Sequence, residues 1–466
     1  MHLTTKDQWI ENKLFEEINI GDSIFEEKQV SQDIVNLFAV ISNDLNPTHI
    51  DSYYAKEVSL KNTTVHSMLS GSFFSSLLGN KLPGPGTTYI SQELNFHQPL
   101  YTDENIKISI TVRNKSEQTQ IIDFYCKVES LDRELVIVDG YARVKAPATK
   151  VKHHIENQLN ITFVDKHAKH KELINKANQY DKSRMAIVYP CDEPSLGGAI
   201  GSTEENLIIP ILIGPKEKIL EIANKLNKDI SNYEIIDEKE PHLAAEIAVN
   251  LVKEGKADSI MKGSLHTDEL MGAVVRGIRT KSRISHVFYM DAPRYIKPLL
   301  ITDAAINIEP TLEDKIDIIQ NSIYLAHSLG IESPRVAILA AVETVNPKMR
   351  STMEAAALCK MSDRGQIKGG LLDGPLAFDN AISLQAAKTK GIKSLVAGQA
   401  DILVAPNLEA GNIFAKQLEY LADAVSAGIV LGAKCPIALT SRADTQDVRI
   451  ASAALCCIYS NYLKKK

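Results

Sequence analysis

Apolar and polar residues alternate along several segments in the first 147 residues of the chain. The alternation is strict at Ile106, Ile108, Ile110 and Val112, which places these four side chains on one face of a β-strand. Strand-like segments occupy residues 89–97, 106–112, 120–128 and 135–144. Short polar turns join consecutive segments, and this arrangement predicts antiparallel hairpins.

A different periodicity precedes these strands, at residues 65–79. Apolar residues fall near positions 65, 68, 69, 73, 77 and 78, a spacing typical of one face of a helix, and small residues lie between them. The small residues favour close packing of this helix against a sheet. One helix followed by hairpin-linked strands predicts an α+β fold in which a sheet wraps around the helix.

The pattern changes after residue 147. Residues 148–164 are polar and poorly periodic, which predicts a linker between a domain at 1–147 and a domain at 165–466. Beyond the linker, short β-rich runs at residues 185–189, 208–213, 258–261, 336–340 and 401–405 alternate with longer amphipathic stretches. This alternation predicts an α/β domain of parallel strands and crossover helices, and about 300 residues suffice for two lobes with a cleft between them.

The overall charge and the cysteine content exclude several classes of protein. The 466 residues include 52 Lys and Arg against 58 Asp and Glu, a net charge of −6, so nucleic acid is not an expected partner. The six cysteines show no Cys-x-x-Cys spacing, which favours reduced cytoplasmic thiols and does not support a metal site. The N-terminus does not resemble a signal peptide, and every apolar run is shorter than the ~20 residues that span a bilayer. We expect a soluble cytoplasmic protein without a membrane partner.

Common motifs for nucleotide, dinucleotide and zinc chemistry are absent from the sequence. It contains no Gly-x-x-x-x-Gly-Lys-Ser/Thr, no Gly-x-Gly-x-x-Gly and no His-Glu-x-x-His. The run Gly197-Gly-Ala-Ile-Gly201 lies at a predicted helix, where close backbone packing explains it better than phosphate binding. We therefore expect no tightly bound cofactor.

Asp44 and His49 lie five residues apart around an Asn-Pro turn. Such a pair can activate a water for addition to the Cβ atom of a thioester-conjugated double bond and can protonate the Cα atom. The backbone N–H of Ser67, at the start of the predicted helix, can stabilise the developing enolate oxygen. The alternative is that Asp44 caps a helix and that His49 is a surface histidine.

The surrounding motifs resemble a known family over about residues 1–146. They are Ser42-Asn-Asp-Leu-Asn-Pro-Thr-His49 followed by Ala55, then Val65-His-Ser-Met-Leu-Ser-Gly71, Leu82-Pro-Gly-Pro-Gly86 and Phe96-His-Gln-Pro-Leu-Tyr101. This order of motifs resembles the MaoC-like (R)-specific enoyl-CoA hydratases. The resemblance implies a hotdog fold, a dimer, Asp44 and His49 as the catalytic dyad, and Ser75 near the thioester.

One residue departs from that family pattern. Ser67 occupies a position where the family usually has glycine. If this position requires a positive φ, Ser67 would be strained and the site for the enolate oxygen would be weaker. Because the serine side chain is small, we expect the hydratase site to be active.

A second group of polar residues lies near the C-terminus. Ser441, Arg442 and Asp447 place a hydroxyl, a guanidinium and a carboxylate on one short segment. Transfer of an acyl group between coenzyme A and phosphate needs a base for a thiol of pKa ~8.5, a bound phosphate and a stabilised oxyanion. Asp447, Arg442 and Ser441 can supply these functions in that order. The alternative is a helix cap with surface ion pairs.

The blocks around this second group resemble the phosphate acetyl/butyryltransferases over roughly residues 165–466. They are Ala186-Ile-Val-Tyr-Pro-Cys-Asp-Glu193, Asp258-Ser-Ile-Met-Lys-Gly-Ser264, Leu300-Ile-Thr-Asp-Ala-Ala305, Val342-Glu-Thr-Val-Asn-Pro-Lys-Met349, Asp373-Gly-Pro-Leu-Ala377, Pro406-Asn-Leu-Glu-Ala-Gly-Asn412 and Thr440-Ser-Arg442. The resemblance implies two α/β lobes of the isocitrate/isopropylmalate dehydrogenase type, a coenzyme A cleft and a dimer. The positions that it implies for substrate or coenzyme A binding are Lys262, Ser264, Thr302, Asp303, Asn346, Lys348, Asp373, Glu409 and Asn412.

The position of the thiol base is open in this pattern. The spacing from Arg442 to Asp447 is one residue shorter than in the acetyl branch of the family. Either Asp444 or Asp447 can therefore hold the base position.

The acyl group is the second open point. Met271 stands where an acetyl-type enzyme is expected to have arginine. The loss of a charge and the gain of apolar surface favour a larger acyl group, unless Arg276 or Arg279 supplies the charge from one or two helical turns further on. The motif Glu343-Thr-Val-Asn-Pro-Lys-Met349 also resembles the butyryl branch more than the acetyl branch.

Together the two resemblances predict a bifunctional enzyme. Its substrates would be acyl-CoA, enoyl-CoA, phosphate and acyl phosphate, and it would form a homodimer or a higher homo-oligomer. The alternative is that the C-terminal domain is a non-catalytic acyl-CoA sensor and that the hotdog domain serves mainly in dimerisation or binding.

Overall fold

The alternating residues 106–112 belong to a five-stranded antiparallel sheet in the computed structural model, which describes residues 2–4, 8–155, 160–162, 168–441 and 444–466. The chain divides into two compact units, Met1–Val164 and Asp165–Lys466. Its first unit contains β1 (His2–Thr4), β2 (Gln8–Glu11), a 3₁₀-helix (Phe15–Glu17), β3 (Ser23–Gln29), α1 (Gln32–Ser42), α2 (Pro47–Ile50), α3 (Ser52–Glu57), α4 (Ser67–Asn80), β4 (Thr88–Phe96), β5 (Asn105–Ser116), β6 (Ile121–Ser130), β7 (Leu135–Lys145), β8 (Lys152–Ile155) and β9 (Asn160–Thr162).

The sheet of the first unit has the strand order β3-β5-β6-β7-β4, and α4 packs against its inner face. Phe74 and Leu78 of α4 are fully buried in the same hydrophobic core as Ile110 and Phe124 of the sheet. Burial alternates along β5 and β6 because successive side chains of a strand point to opposite faces. The predicted sheet around a central helix is confirmed, and the fold is hotdog-like.

Part of the predicted linker forms strands. β8 pairs antiparallel with β2, with Trp9 opposite His154, and β9 pairs antiparallel with β1. Both strands come from the polar segment 148–164. Their pairing partners lie 141–160 residues earlier in the chain, so the local composition that predicted a linker carried no signal for them.

The second unit alternates strands with helices, as the spacing of its β-rich runs predicts. Its elements are α5 (Ala168–Ala177), β10 (Ser183–Val188), α6 (Glu193–Glu204), β11 (Ile208–Gly214), α7 (Lys216–Lys225), β12 (Glu234–Asp237), α8 (Pro241–Lys253), β13 (Ser259–Lys262), α9 (Thr267–Gly277), β14 (Ser285–Asp291), β15 (Leu299–Thr302), α10 (Leu312–Ser328), β16 (Arg335–Leu339), α11 (Arg350–Asp363), β17 (Leu371–Leu376), α12 (Phe378–Ile382), α13 (Leu384–Thr389), β18 (Ile402–Val404), α14 (Leu408–Leu421), β19 (Val425–Leu431), β20 (Ile437–Ala438) and α15 (Gln446–Lys465).

One eleven-stranded sheet runs through the second unit, in the order β12-β11-β10-β13-β20-β19-β14-β15-β18-β16-β17. The first five strands are parallel to one another, as are the last four. β19 and β14 join the two parallel sets through antiparallel pairings. Inner parallel strands such as β10 and β13 are buried on both faces, so their apolar residues follow one another without alternation.

Two further features bear on the expectations from composition. All six cysteines are free thiols. Within the described part of the chain, every helix is either too short or too polar to cross a membrane.

Candidate active sites

The first candidate site begins in the turn between α1 and α2. Asn43 ends α1 in the left-handed conformation, with φ of 58°. The side chain of Asn46 caps α2, since its Oδ1 accepts a hydrogen bond from the backbone N–H of Thr48 at 3.2 Å. Asp44 is exposed and is not the cap of this helix. The cap of α2 is therefore Asn46 and not Asp44, as the alternative interpretation predicted, and the Asp44 carboxylate remains accessible for chemistry.

His49 has a defined orientation. Its Nδ1 lies 2.8 Å from the carbonyl oxygen of Thr64 and 3.0 Å from the Thr64 hydroxyl. Because a carbonyl oxygen only accepts, Nδ1 carries the hydrogen and donates it to Thr64. The Nε2 atom of His49 then has a lone pair, as a residue that accepts a proton from water requires.

His66 completes a three-residue cluster with Asp44 and His49. Only 1% of His66 is exposed, and its ring stacks on the His49 ring with centroids 3.9 Å apart. Its Nε2–H donates to the backbone carbonyl of Asp44 at 3.0 Å. Sequence reasoning missed this residue, although it directly precedes Ser67 in the motif Val65-His-Ser-Met; its contacts come from residues 17 and 22 positions away.

Asp44, His49 and His66 offer donor atoms that all lie within 4.8 Å of one another, so the set could hold a metal ion by composition. The two rings are nearly parallel, with 30° between their planes. A metal binds in the plane of an imidazole, about 2.0 Å from the nitrogen, so stacked rings direct their lone pairs side by side rather than to one point. This geometry suits a pair of stacked rings better than a pair of metal ligands.

Ser67 is the first residue of α4, where its backbone N–H is one of those without a partner inside the helix. The φ angle of Ser67 is not positive, so the predicted backbone strain does not occur. Ser75 is exposed two turns further along α4, about 12 Å along the helix axis. The structure therefore brings Ser67 to the Asp44–His49 turn through His66, and holds Ser75 further from it.

The second candidate site lies at the carboxyl ends of β10, β13 and β20, which are parallel neighbours in the sheet. Lys262, the last residue of β13, is buried, and its Nζ donates to the carbonyl oxygens of Gly263 and Leu265 at 3.3 and 3.2 Å. The Ser264 hydroxyl donates to the carbonyl of Tyr189 at 2.9 Å. Neighbouring strand ends thus bring residues 189–192, 262–266 and 439–441 to one edge of the sheet.

Arg449 links these strand ends from α15, with 1% of the residue exposed. Its Nη1 donates to the Thr440 hydroxyl at 2.7 Å and to the Lys262 carbonyl at 3.4 Å, and its Nη2 donates to the Ser441 carbonyl at 3.1 Å. Sequence reasoning missed Arg449. The available signal was a cation within the long apolar stretch of α15, because a buried charge needs hydrogen-bond acceptors.

The two candidate bases have different surroundings. Asp444 is half-buried, and its Oδ2 accepts a hydrogen bond from the backbone N–H of Ser441 at 2.6 Å. Burial raises the pKa of Asp444, although the Ser441 N–H and the charges of nearby Arg449, Lys416 and Lys262 act in the opposite direction. Asp447 is exposed in the first turn of α15. Arg442, the predicted phosphate ligand, lies outside the described residues.

A second carboxylate approaches Asp444 from α14. Burial and the Asp444 charge raise the pKa of Glu419, against a hydrogen bond donated by the Ser426 hydroxyl and the charge of Lys416. Two carboxylates close enough to repel each other favour a state in which one of them is protonated. The edge around Ser441 therefore has an environment suited to proton transfer.

Thr302 and Asp303 are buried at the end of β15. The Thr302 hydroxyl donates to the His286 carbonyl at 2.8 Å. The Asp303 carboxylate accepts from the backbone N–H groups of His286, Ala305 and Ile306 and from the Asn307 side chain, at 2.6–3.2 Å. With four donors on two oxygens, this carboxylate stabilises the loop after β15 and is not exposed to a ligand.

The other predicted binding residues of the second unit lie on three separate segments of the chain. Asn346 and Lys348 are exposed after β16, where the Lys348 N–H donates to the Asn346 side chain at 3.0 Å. Asp373 is half-buried in β17 and accepts from the Gly374 N–H at 2.8 Å. Glu409 is exposed in the first turn of α14, and the Asn412 side chain donates to the Ala304 carbonyl at 3.1 Å.

Met271 packs differently from the sequence-based expectation. Only 9% of Met271 is exposed, and it belongs to a hydrophobic core together with Leu265 and Val274. It therefore adds little apolar surface for an acyl chain, which corrects the argument for a larger acyl group from this position. Arg276 is exposed and pairs with Glu246 at 3.4 Å.

Comparison with known proteins divides the chain in the same two parts. A family model described as MaoC like domain matches residues 20–133, and one described as phosphate acetyl/butaryl transferase matches residues 239–457. The phosphate acetyltransferase of Rickettsia felis is 52% identical over 314 residues, which cover 66% of this chain and 90% of that protein. The phosphate butyryltransferase of Clostridium beijerinckii is 44% identical over 290 residues, covering 62% and 96%.

A solved structure shows the same relation for the second unit. The branched-chain phosphotransacylase of Enterococcus faecalis is 28% identical, with a TM-score of 0.54, and the match covers 60% of this chain and 99% of that one. The identity to the curated relatives extends over nearly their whole length. The chain therefore belongs to the phosphate acetyl/butyryltransferase family, and it carries a MaoC-like domain in front of its transferase part.

Proposed function

We propose that the chain catalyses two reactions of acyl-CoA thioesters. The second unit transfers an acyl group of the acetyl or butyryl class between coenzyme A and phosphate, and the first unit hydrates enoyl-CoA with (R) specificity. The observation that carries the transferase assignment is 52% identity to a phosphate acetyltransferase over 90% of that protein's length, together with the buried polar cluster around Ser441. The pairing of accessible Asp44 with oriented His49 supports the hydratase assignment.

Asp444 acts as the base for the coenzyme A thiol in this proposal, with Asp447 as the alternative. Its pKa is raised by burial, which brings it closer to that of a thiol. The thiolate sulfur forms a bond to the carbonyl carbon of the acyl phosphate, and the C–O bond to phosphate breaks with its electron pair leaving on phosphate. Ser441 stabilises the oxyanion and Arg442 binds the phosphate through its planar fork.

Asp44 and His49 hold one water for the hydration reaction. The His49 Nε2 atom accepts a proton while the water oxygen adds to Cβ, and the pair returns one proton to Cα. Both residues end in their initial states, so that one water is added across the double bond. The Ser67 N–H donates to the thioester oxygen as the enolate forms, and Ser75 lies nearer to the rest of the thioester substrate.

Several finer properties belong to the same proposal. The domains span residues 1–147 and 165–466 with 148–164 between them, and the transferase lobes are of the isocitrate/isopropylmalate dehydrogenase type. Coenzyme A and phosphate contacts come from the positions inferred from the family resemblance, with buried Asp303 acting through the loop after β15 that it holds. No cofactor is tightly bound, and the six free cysteines support a reducing cytoplasmic location.

A homodimer or higher homo-oligomer is also proposed. β4 is an edge strand of the first sheet, and Tyr89, Ile90 and Phe96 on it are 40–47% exposed. An exposed apolar edge strand favours pairing with another chain. Light scattering after size-exclusion chromatography would give a mass of at least two chains, and a monomeric mass would contradict this part of the proposal.

Thiol release from acetyl-, butyryl-, crotonyl- and 3-hydroxybutyryl-CoA, with and without phosphate, tests the transferase. Phosphate-dependent release is expected, and its rates rank the acyl groups. Tight binding of every thioester without release would instead identify a non-catalytic acyl-CoA sensor.

Two substitutions separate the activities. Asp44→Ala should abolish hydration of crotonyl-CoA and leave phosphate-dependent thiol release intact, whereas Arg442→Ala should do the reverse. The calorimetric unfolding transition of the substituted unit is the folding control for each variant. The two-site proposal would be wrong if either substitution removed both activities from a folded protein.

A further inference from the structure

The short segment Thr64–Ser67 contacts every residue assigned to hydration at the α1–α2 turn. Thr64 orients His49, and Ser67 supplies the N–H for the thioester oxygen. His66 lies between them in sequence and contacts both members of the dyad. It therefore occupies the position from which one side chain can set the geometry of the whole hydratase site.

His66 itself cannot contact a substrate, because it is 99% buried. Its Nε2–H donates to the Asp44 carbonyl at 3.0 Å, so Nε2 carries the hydrogen and Nδ1 has the lone pair. That Nδ1 is buried and has no hydrogen-bond partner among the described residues. The ring is thus held by one hydrogen bond and by aromatic contacts, with Phe38 at 5.1 Å and His49 at 3.9 Å between centroids.

The hydrogen bond from His66 is the shortest one that holds Asp44 among those of the described residues. Asp44 lies between the left-handed Asn43 and the α2 cap. Its backbone N–H donates to the Ser42 hydroxyl at 3.3 Å, and its side chain accepts from the Asn46 N–H at 3.3 Å. The hydrogen bond to the Asp44 carbonyl fixes the peptide group next to the Asp44 Cα atom, and so limits where the carboxylate of this residue can lie. The stacked ring at the same time limits rotation of His49 about its χ angles.

We propose that His66 is a positioning residue of the hydratase site, which holds Asp44 through its Nε2–H and the His49 ring through stacking. The proposal rests on the hydratase function proposed above. His66 joins the dyad to the start of α4, so that the water and the thioester oxygen are held in one frame. Loss of this frame lowers the rate of hydration more than it weakens substrate binding, since a misplacement of about 1 Å can reduce a rate 10²-fold.

Two substitutions divide the roles of the side chain. His66→Phe keeps an aromatic ring for stacking and removes the donor, whereas His66→Gln keeps a donor near the Nε2 position and removes the ring. We expect His66→Phe to lower kcat for crotonyl-CoA hydration about 10–100-fold with KM changed less than about threefold, and His66→Gln to recover part of the loss. His153→Phe, at an exposed histidine of β8, is the matched control and should retain wild-type hydration.

A double substitution distinguishes positioning from general damage to the fold. If His66 acts through the dyad, His66→Phe should lower kcat for hydration less than about twofold when Asp44 is already replaced by Asn. The reason is that the effects of substitutions at residues that act as a unit do not add. The calorimetric unfolding transition of the first unit reports that the unit carrying His66 is folded, and the His66→Gln variant provides the comparison if His66→Phe does not fold. The inference would be overturned if His66→Phe lowered kcat by the same factor with Asp44→Asn as with Asp44 intact. It would also be overturned if both single variants of His66 had the wild-type kcat.

Activity of the wild-type protein distinguishes the role of His66 from the hydratase function on which it rests. If the wild-type chain hydrates crotonyl-CoA and both His66→Phe and His66→Gln do so equally well, only the role of His66 is rejected. Absence of hydration in the wild-type chain, with thiol release intact, rejects the hydratase function and the role of His66 together.

Discussion

Asp444 and Asp447 are three residues apart, and only Asp444 is half-buried against Ser441. We predict that Asp444→Asn lowers the rate of phosphate-dependent thiol release about 100-fold, within the range typical for loss of a general base. Asp447→Asn, the matched control, should change the rate less than about threefold. Initial rates with acetyl- and butyryl-CoA provide the measurement. The opposite ranking of the two variants would assign the base to Asp447.

Asp444→Asn should raise the stability of the second unit although it lowers its activity. Burial raises the pKa of Asp444, so the folded protein binds this proton more tightly than the unfolded chain does. The contribution of Asp444 to stability is therefore complete below about pH 4, the usual pKa of aspartate, and it is lost as the pH rises through the raised value. Asp444→Asn removes this loss and should raise the unfolding temperature of the transferase unit at pH 7.

Calorimetry at several pH values tests this sign. The advantage of Asp444→Asn over the wild type should narrow as the pH falls toward 4, where the wild-type carboxyl is also neutral. The contrary result is that Asp444→Asn loses stability relative to the wild type as the pH rises from 4 to 7. It would show that the cationic neighbours of Asp444 stabilise its carboxylate more than burial destabilises it.

Residue types were the part of each site that could be read before the fold was known. Asp44 and His49 stood out because they flank one turn, and the contacts of His49 agree with a proton-accepting role. His66 was missed because its partners are distant in sequence, and Arg449 was missed although a cation within an apolar helix is a local sign of burial. The choice between Asp444 and Asp447 depends on burial, which spacing does not reveal.

At the scale of elements, α6 and α15 pack closely through glycines. A Cβ atom on Gly198 would lie 2.7 Å from Cβ and 2.8 Å from Cδ of Arg449. We predict that Gly198→Ala displaces Arg449, destabilises the second unit by about 1–3 kcal/mol and lowers thiol release. Hydration by the first unit should be unchanged. Calorimetry and the two activity assays measure these effects.

Gly201→Ala is the matched control for this prediction. A Cβ atom there would meet Ile450 Cδ1 and Gln446 Nε2 at 2.7 and 2.8 Å, and both are ends of flexible side chains that can rotate away. The control should retain most of the stability and thiol release. Equal losses in both variants would mean that helix spacing, and not the position of Arg449, determines the effect.

Periodicity predicted elements well where one face or both faces of an element are buried. The helix at 65–79 and the strands at 89–97, 106–112, 120–128 and 135–144 correspond to α4 and β4–β7. The Gly197–Gly201 run was correctly predicted to serve packing, since its glycines contact α15. β8 and β9 were not predicted, because polar strands at an edge have no periodicity to reveal them.

Each unit has its own hydrophobic core. Phe124 is fully buried in the core of the first unit, and Leu455 is fully buried in the second. We predict that Phe124→Ala destabilises the first unit by about 3–5 kcal/mol, lowers its unfolding transition and reduces hydration, while thiol release persists. Leu455→Ala should produce the reciprocal result, at about 2–5 kcal/mol.

Differential scanning calorimetry with both assays tests this independence. Two transitions are expected, and each substitution should shift only one of them. A shift of both transitions by either substitution would show that the two units unfold cooperatively.

The covalent connection itself has a predicted consequence for flux. A short 3-hydroxyacyl-CoA released by the first unit is a thioester that the second unit can accept, and a tether raises the local concentration of one site near the other. We predict faster conversion of crotonyl-CoA and phosphate to 3-hydroxyacyl phosphate by the intact chain than by an equimolar mixture of the separated units. Equal flux from the mixture would contradict a role for the tether.

The two-part organisation, the fold of each part and the family of the transferase can be read from the sequence, because hydrophobic periodicity and motif order are local and additive along the chain. Tertiary structure alone decided which carboxylate is buried beside Ser441, that Met271 belongs to a core, that Ser67 is unstrained, and that His66 and Arg449 join distant segments. These properties depend on burial and on hydrogen bonds between residues far apart in the chain. Spacing along one segment contains no information about such partners until the fold brings them together.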